Sequence, residues 1–542
     1  MRAYAHQQMR LTYPDKPIIL PHKSTRKKKN IMLSKVNSAG IAGIDGYIVD
    51  VECFAAKSIP KFDIVGLPGA SVKESYNRIK AAIKSCGLDF PVMSLTVNLA
   101  PADRTKQGTA YDLAILLAVL KCTVLENVDL AGKCFAGEVS LSGAVRRTDG
   151  ILSMCIAARD AGFSEMYVPF DNVNEASVVD GIDVYGIHNI SELLQHLIKG
   201  KVLSRAECKR DELFRLSYDG LADFSDVKGQ EHVKLALEVA AAGMHNVLLV
   251  GPPGTGKSML AKRLPGILPP MSFEEALETT RIYSASGNIA AGETLIVRRP
   301  FRAPHHTMSA AGLVGGGRIP QPGEISLADN GVLFLDELPE FSKDATDGLR
   351  QPLEDGEVTI TRVGGKFRFP ARFMLICAMN PCKCGYYGHP VKPCTCSRAQ
   401  IDAYLSRVSG PLLDRMDIQV EVPSLSYEKL ADNRPTESSE KIRERVLRAR
   451  EIMNKRYAGT KIRANGDLTP AMIREYCVLD DAAQEVLKAA FDRMGLSARG
   501  YDRILRVART VADMHGCEII GKEHVAQAVQ FRNLDRKYWK NA

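Results

Sequence analysis

The apolar run Val247-Leu-Leu-Val250 passes directly into Gly251, Pro252, Pro253, Gly254, Thr255, Gly256, Lys257 and Ser258, and Met259 to Leu264 then reads as the start of a helix. Strand, glycine-rich turn and helix in that order are the context that G-x-x-x-x-G-K-[ST] requires. The glycines let backbone N–H groups close around phosphates, helped by the positive end of the following helix. Lys257 is expected to reach the β- and γ-phosphates, and Ser258 to ligate Mg²⁺.

Two further strands complete the pattern. Val332-Leu-Phe-Leu ends in Asp336-Glu337, and an acid at the end of a buried strand sits beside the phosphate loop in α/β nucleotide folds. Asp336 is expected to organise the Mg²⁺ shell and Glu337 to polarise the attacking water; the plainer reading is two solvated acids. Phe373 to Met379 delivers Asn380, placed to hold that water or to sense the γ-phosphate. Together the three strand ends have the AAA+ layout, within an α/β block from Asp223 to about Pro423. The pattern argues for ATP hydrolysis and carries no information about substrate.

At 542 residues the chain is too long for one core. The first domain, 32–200, alternates short strands with helices: Tyr47 to Phe54 and Met93 to Leu99 as strands, Ala70 to Cys86 and the buried Asp112 to Lys121 as helices. A charged linker is placed at 201–222, the ATPase core at 223–423, and a region of helices, the lid, at 424–542. The longest apolar run, Leu113 to Leu120, is far short of the roughly 20 residues a membrane span needs. With no signal-peptide pattern either, a cytoplasmic protein without membrane contact is expected.

The net charge of +9 is local. Residues 1–31 carry eight Lys/Arg against Asp15, so the other 511 residues hold only +2. The leader reads as a solvated basic arm, as a nucleic-acid arm, or as sequence upstream of a natural start at Met32.

Several stretches resemble the Mg-chelatase-like ATPases of the ComM (YifB) type. They are Phe301-Arg-Ala-Pro-His-His-Thr307, Gly323-Glu-Ile-Ser-Leu-Ala328, Gly331 to Phe341, Asn380-Pro-Cys and Ser409 to Asp417. The resemblance spans Met32 to Arg532 and implies a homo-oligomeric ring, a hexamer, with ATP between subunits. It implies that Arg415 is a trans-acting arginine finger; the alternative is a plain ion pair with Asp414 or Asp417. It implies that Arg499, in Ser-Ala-Arg-Gly-Tyr, is the sensor arginine of the helical lid, with Arg503 the competing assignment. ComM-type proteins are associated with ATP-driven branch migration of DNA during uptake and recombination, which implies DNA, branched or single-stranded and without sequence preference, as the partner; chelatase relatives drive metal insertion into a porphyrin.

The first domain resembles the Lon-protease fold, ribosomal S5 domain 2-like. Ala110 stands at the nucleophile position and Leu152 at the lysine position, so no Ser–Lys dyad is expected, even if Thr109 shifts into register.

Cys382-Lys-Cys384 and Cys394-Thr-Cys396 are two C-x-C pairs on a turn-rich loop. Four thiolates there suit tetrahedral Zn²⁺; reduced thiols and a redox disulfide are the other readings. The nine remaining cysteines read as buried hydrophobes. Finally, Glu357 to Arg362, Val363-Gly-Gly365 and Lys366 to Pro370 read as a β-hairpin. Arg362, Lys366 and Arg368 are its candidate phosphate contacts, against a merely solvated basic hairpin. Ala303 to Arg318 is a second candidate pore loop, and His305-His306 lacks metal-ligand spacing.

Overall fold

The structure, a computed structural model, describes residues 31–539 apart from 201–202, 216, 291, 363–364, 426 and 429–435. The basic leader up to residue 30, Val363-Gly364 at the hairpin turn and most of the turn expected at Leu425–Thr436 lie outside the described residues. The chain divides into two compact units. One runs to Cys208 and includes Ala290–Thr294; the other comprises Lys209–Ile289 and Leu295 onward.

The first unit is built on a seven-stranded mixed sheet. Its spatial order is Lys61–Val65, Ser94–Ala100, Asp45–Ala56, Ile31–Ala42, Lys133–Phe135, Glu165–Pro169 and Asp183–Ile187. The two long central strands pair antiparallel over their whole length, from Ile31↔Ala56 to Ala42↔Asp45. Alternation does the sorting: Val49, Val51, Cys53 and Ala55 are buried and pack on the core, while Phe54 and Asp50 face away. Against this face lies the helix Asp112–Lys121, buried at every position up to Leu120, as its unbroken apolar run requires. Its first residue, Asp112, is held by Arg78 through Nε at 2.7 Å and Nη2 at 2.9 Å. Burial pushes the Asp112 carboxyl up, and the Arg78 guanidinium pulls it back. The helix expected over Ala70–Cys86 is interrupted at Glu74 into Ala70–Lys73 and Ser75–Ser85, because Asn77 N–H bonds three residues back to the Glu74 carbonyl.

The second unit holds a five-stranded, all-parallel sheet in the order Phe301–Arg302, Val332–Leu335, Met374–Met379, Val247–Val250, Ile418–Glu421. Every residue of Val247–Val250, Val332–Leu335 and Met374–Met379 is buried, the signature of strands covered on both faces. Met374–Met379 is the middle strand, and Val247–Val250 lies between it and the edge strand Ile418–Glu421. Beyond residue 438 the described residues form helices and no strand, the longest being Ser439–Arg456 and Ala498–Met514. Ala498–Met514 buries Arg509 and Asp513 as well as its apolar face; Arg456 reaches Asp513 at 2.8 Å and Arg509 Nε reaches it at 3.1 Å. No helix among the described residues is long and apolar enough to cross a membrane.

Because Leu116 lies mid-helix with no exposed surface, Leu116→Ala removes a fully buried side chain. The expected loss is about 2–5 kcal/mol in the unfolding free energy of the first unit, read from its urea transition. A loss too small to move that transition would contradict the packing described.

Candidate nucleotide site

Parallel strands place their C-terminal ends on one edge of the sheet, and ligands bind there where the strand order reverses. The phosphate loop leaves Val250 on that edge, beside Asn380 and one strand from Asp336. Gly251 is required by proximity: a Cβ there would lie 2.3 Å from the Val422 carbonyl oxygen. The following helix, Lys257–Arg263, begins at the loop's last residues, so its free N–H groups point into the turn.

Lys257 is buried, and its Nζ donates to the carbonyls of Gly251 (2.7 Å) and Pro252 (2.9 Å) and to Asn380 Oδ1 (3.1 Å). Burial lowers the ammonium pKa to about 8, although the charges of Asp336 and Glu337 oppose the shift. A cation held this way gains strongly from a nearby phosphate. Ser258 Oγ donates to Asp336 Oδ2 at 2.5 Å, so the two residues expected to hold Mg²⁺ share one spot. Glu337 sits in the left-handed region at φ 54, a conformation that costs a non-glycine residue roughly 1–2 kcal/mol. Its N–H bonds to Asp336 Oδ1 at 2.9 Å, and its carboxylate is more than half exposed.

The structure adds a residue that spacing alone did not single out. His306 Nδ1 lies 3.3 Å from Glu337 Oε2. It comes from the loop after the strand Phe301–Arg302, and His-His in that loop was the available signal. The same loop runs through Ala310–Val314 to the short ribbon Gly315–Gly316 and Gln321–Pro322.

Arg415 and Arg499 are not beside the phosphate loop. Arg415 precedes Ile418–Glu421, and Asn246, which precedes Val247, donates to its carbonyl at 3.1 Å. Both belong to the N-terminal edge of the sheet, about 15 Å along the strands from Gly251. There they line a cavity of about 960 Å³ with Arg463, Arg506 and Lys461. Arg415 pairs with neither Asp414 nor Asp417: its Nη2 meets Glu354, Nη1 donates to the Pro411 carbonyl at 2.6 Å, and its buried Nε has no partner among the described residues. Asp417 is taken by Arg503 (Nε at 3.8 Å) and by buried His245 (Nδ1 at 3.5 Å). Burial works against the Asp417 carboxylate, but His245 and the neighbouring arginines outweigh it and hold its pKa well below the usual range. Arg499, two-thirds exposed, stands 3.6 Å from Asp414, while Arg503 is buried in its pairing. Of the two, Arg499 is the one open to an incoming ligand.

The hairpin forms with the register Thr359↔Arg368, Thr361↔Lys366 and Arg362↔Gly365. Alternation divides its cations. Lys366 and Arg368 share one face, while Arg362 lies on the other with buried Val358, Ile360 and Phe369. Arg362 Nε donates to the Gly317 carbonyl at 3.3 Å, which joins the hairpin to the Ala303–Arg318 loop.

The four cysteines converge. Cys382, Cys384 and Cys394 have Sγ atoms 3.4, 3.5 and 3.7 Å apart, and Cys396 completes a group within 4.8 Å. Sulfurs at about 2.3 Å from one tetrahedral zinc ion lie about 3.8 Å from one another, so the donor set fits that metal. Burial opposes ionisation of Cys384, but N–H groups of Tyr386 and Thr395 and the adjacent thiols outweigh it and bring its pKa to about 5.

In the first unit Ala110 and Leu152 are both buried in the core. The Thr109 hydroxyl donates to Glu138 at 2.5 Å, and the nearby buried Lys106 is bound to the Pro101 carbonyl.

Three family descriptions match the chain: "Magnesium chelatase, subunit ChlI" over residues 223–430, "Subunit ChlI of Mg-chelatase" over 51–172, and "Magnesium chelatase, subunit ChlI C-terminal" over 436–532. Competence protein ComM of Haemophilus influenzae is 41% identical over 507 residues, covering 93% of this chain and 98% of its own. YifB of Escherichia coli is 40% identical over 506 residues, with the same coverage of both chains. The magnesium-chelatase 38 kDa subunit of Rhodobacter capsulatus is 26% identical over 328 residues, 56% of this chain and 84% of its own. With ComM and YifB matched over 98% of their own length, the chain belongs to the Mg-chelatase-like AAA+ family that includes them.

Proposed function

We propose that this protein is an ATP-hydrolysing ring motor of the cytoplasm that acts on DNA, driving branch migration or helicase-type remodelling of recombination intermediates during DNA uptake. The observation that carries the reading is a phosphate site built from Lys257, Ser258, Asp336, Glu337 and Asn380 in the same unit as a hairpin that exposes Lys366 and Arg368. The similarity to a protein named for competence supports the choice of DNA.

In this reading the loop from Gly251 to Gly256 cradles the phosphates, with Lys257 on the β- and γ-groups. Mg²⁺ held by Ser258 and Asp336 supplies charge neutralisation. Glu337 polarises the attacking water, and Asn380 holds that water or senses the γ-phosphate. Arg415 and Arg499 act on a neighbour's nucleotide: a strand length from their own phosphate loop, they meet phosphate only where subunits abut head to tail. Six subunits closing such a ring make each ATP site a shared one. Residues 32–200 serve as a Lon-like (S5 domain 2-like) scaffold without a dyad, joined by 201–222 to the core at 223–423 and the lid at 424–542. Lys366 and Arg368, with Arg362 behind them, contact the DNA backbone, which positions without reading sequence. Cys382, Cys384, Cys394 and Cys396 hold Zn²⁺. A second reading, a chelatase-like remodeller of a protein or metal–porphyrin complex, draws on the family descriptions and predicts turnover indifferent to DNA.

Lys257→Ala is expected to abolish nucleotide binding, whereas Glu337→Gln keeps binding and slows turnover roughly 10²–10⁴-fold. Fluorescent-nucleotide titration and steady-state phosphate release check both, and normal turnover in either variant overturns the site. Arg415→Ala alone and Glu337→Gln alone are each expected to be inactive, but mixed subunits recover about a quarter of parent activity, since interfaces pairing intact Glu337 with intact Arg415 re-form. Co-assembled but inactive mixtures would place Arg415 outside the shared site.

The functional reading itself is tested by ATPase rates without DNA and with single strands, duplex and a four-way junction. Stimulation greatest with the junction is expected, and Lys366→Ala with Arg368→Ala should reduce the salt-dependence slope of DNA binding by about 1 for each phosphate no longer neutralised. Equal rates with every DNA would favour the chelatase-like alternative.

A further inference from the structure

We propose that the four-cysteine segment is a metal-held brace for the phosphate loop, so that zinc occupancy sets the affinity for nucleotide. The proposal rests on reading the four thiols as a zinc site, and goes beyond it by giving that site a task.

Residues 381–396 contain no helix or strand, and only Cys382 of the four ligands is fully buried. Such a stretch buries too little apolar surface to offset the entropy of ordering it. A tetrathiolate metal supplies that ordering directly, and N–H groups of Tyr386 and Thr395 on Cys384 orient the ligands from behind.

What the ordered segment touches is the phosphate loop. Gly385 has φ +86 and lies flat on the Pro253 ring: a Cβ there would be 2.6 Å from Pro253 Cδ and 3.2 Å from Cγ. Even one added methyl group does not fit. Pro253 follows Pro252, whose carbonyl accepts from both Lys257 Nζ (2.9 Å) and Thr255 Oγ1 (2.9 Å). A shift of the Pro253 ring therefore moves the carbonyl that positions the phosphate-binding lysine. A second route is covalent: Cys382 is two residues beyond Asn380, whose Oδ1 accepts from Lys257. On its far side the segment is backed by protein, with His389 Nε2 3.1 Å from Ser424 Oγ and a Cβ on Gly388 falling 3.9 Å from Lys537 Cε. Clamped between this backing and Pro253, a rigid segment restrains the loop; a slack one leaves it free.

The experiment uses the full chain and three measurements: zinc content by atomic emission, affinity for a fluorescent ATP analogue, and far-ultraviolet circular dichroism. Expected are one zinc per chain in the parent, and none in Cys394→Ser/Cys396→Ser, with affinity at least 10-fold weaker and an unchanged dichroism spectrum. Gly385→Ala, checked to retain one zinc, is expected to lose affinity at least 5-fold, because its added methyl meets the Pro253 ring and a side chain strains a φ of +86; unchanged affinity would overturn the role of this contact. Stripping the parent with a chelator and restoring Zn²⁺ should lower and then recover affinity, which decides the matter if a variant misfolds. A parent without zinc overturns the metal reading. A parent with zinc whose stripped form binds nucleotide as tightly as before overturns the brace and leaves the metal standing. None of these outcomes touches the ATPase assignment, which Lys257→Ala tests separately.

Discussion

The hydrogen bonds that pair Val247–Val250 with Met374–Met379 on one side and Ile418–Glu421 on the other are what the rest of the second unit depends on. They run parallel, so all three strands end on one edge, and each end delivers a chemical group to it. Gly251 N–H continues the pairing to the Met379 carbonyl at 3.1 Å, and Val422 N–H bonds to the Val250 carbonyl at 2.8 Å. The phosphate loop is thereby anchored at its first residue, with Asn380 directly after the Met379 carbonyl that holds it. Slipping this register by one residue would turn Asn380 away from Lys257.

The opposite edge is organised by charge. Asp417 sits at the start of its strand, buried, accepting from the Asn246 N–H at 3.2 Å and lying against His245 and Arg503. His245 continues to Thr510 Oγ1 at 2.7 Å, to which Asn465 Nδ2 donates at 3.1 Å, and Asn465 in turn bonds to Asp513 at 2.8 Å. This chain of buried polar groups joins the sheet to Ala498–Met514, the helix that also carries Arg499. Each member satisfies a neighbour that would otherwise be costly to bury, so the two candidate trans-acting arginines are held on elements that share one network. Breaking one link exposes the next to a full desolvation penalty.

Much of this was legible because the chemistry is local. The strand Val247–Val250, the loop and the helix after it are contiguous, and period and spacing identify each part. The helix Asp112–Lys121 is legible to its observed bounds, since an apolar run of that length has no exposed face to blur its ends. The cysteine pairs stand out as candidate donors by number and spacing, and their convergence needs only a turn-rich loop between them. The hairpin was legible as a hairpin, but the separation of Arg362 from Lys366 and Arg368 follows from which residue opposes which, and that is a property of the register.

The amino-acid sequence by itself determined which groups exist and in what local geometry: a phosphate loop, acids and an amide at strand ends, four thiols, a basic hairpin. Only the tertiary structure decided which of them meet. Arg415 finds Glu354 rather than its near neighbours Asp414 and Asp417, His306 reaches Glu337, and Gly385 lies against Pro253. Each of these contacts joins residues tens of positions apart or more, brought together by strand order and direction. Short-range periodicity reports backbone conformation and burial; it has no term for which strand lies beside which. That is why candidate residues can be named from the chain, while contacts such as His306 with Glu337 cannot.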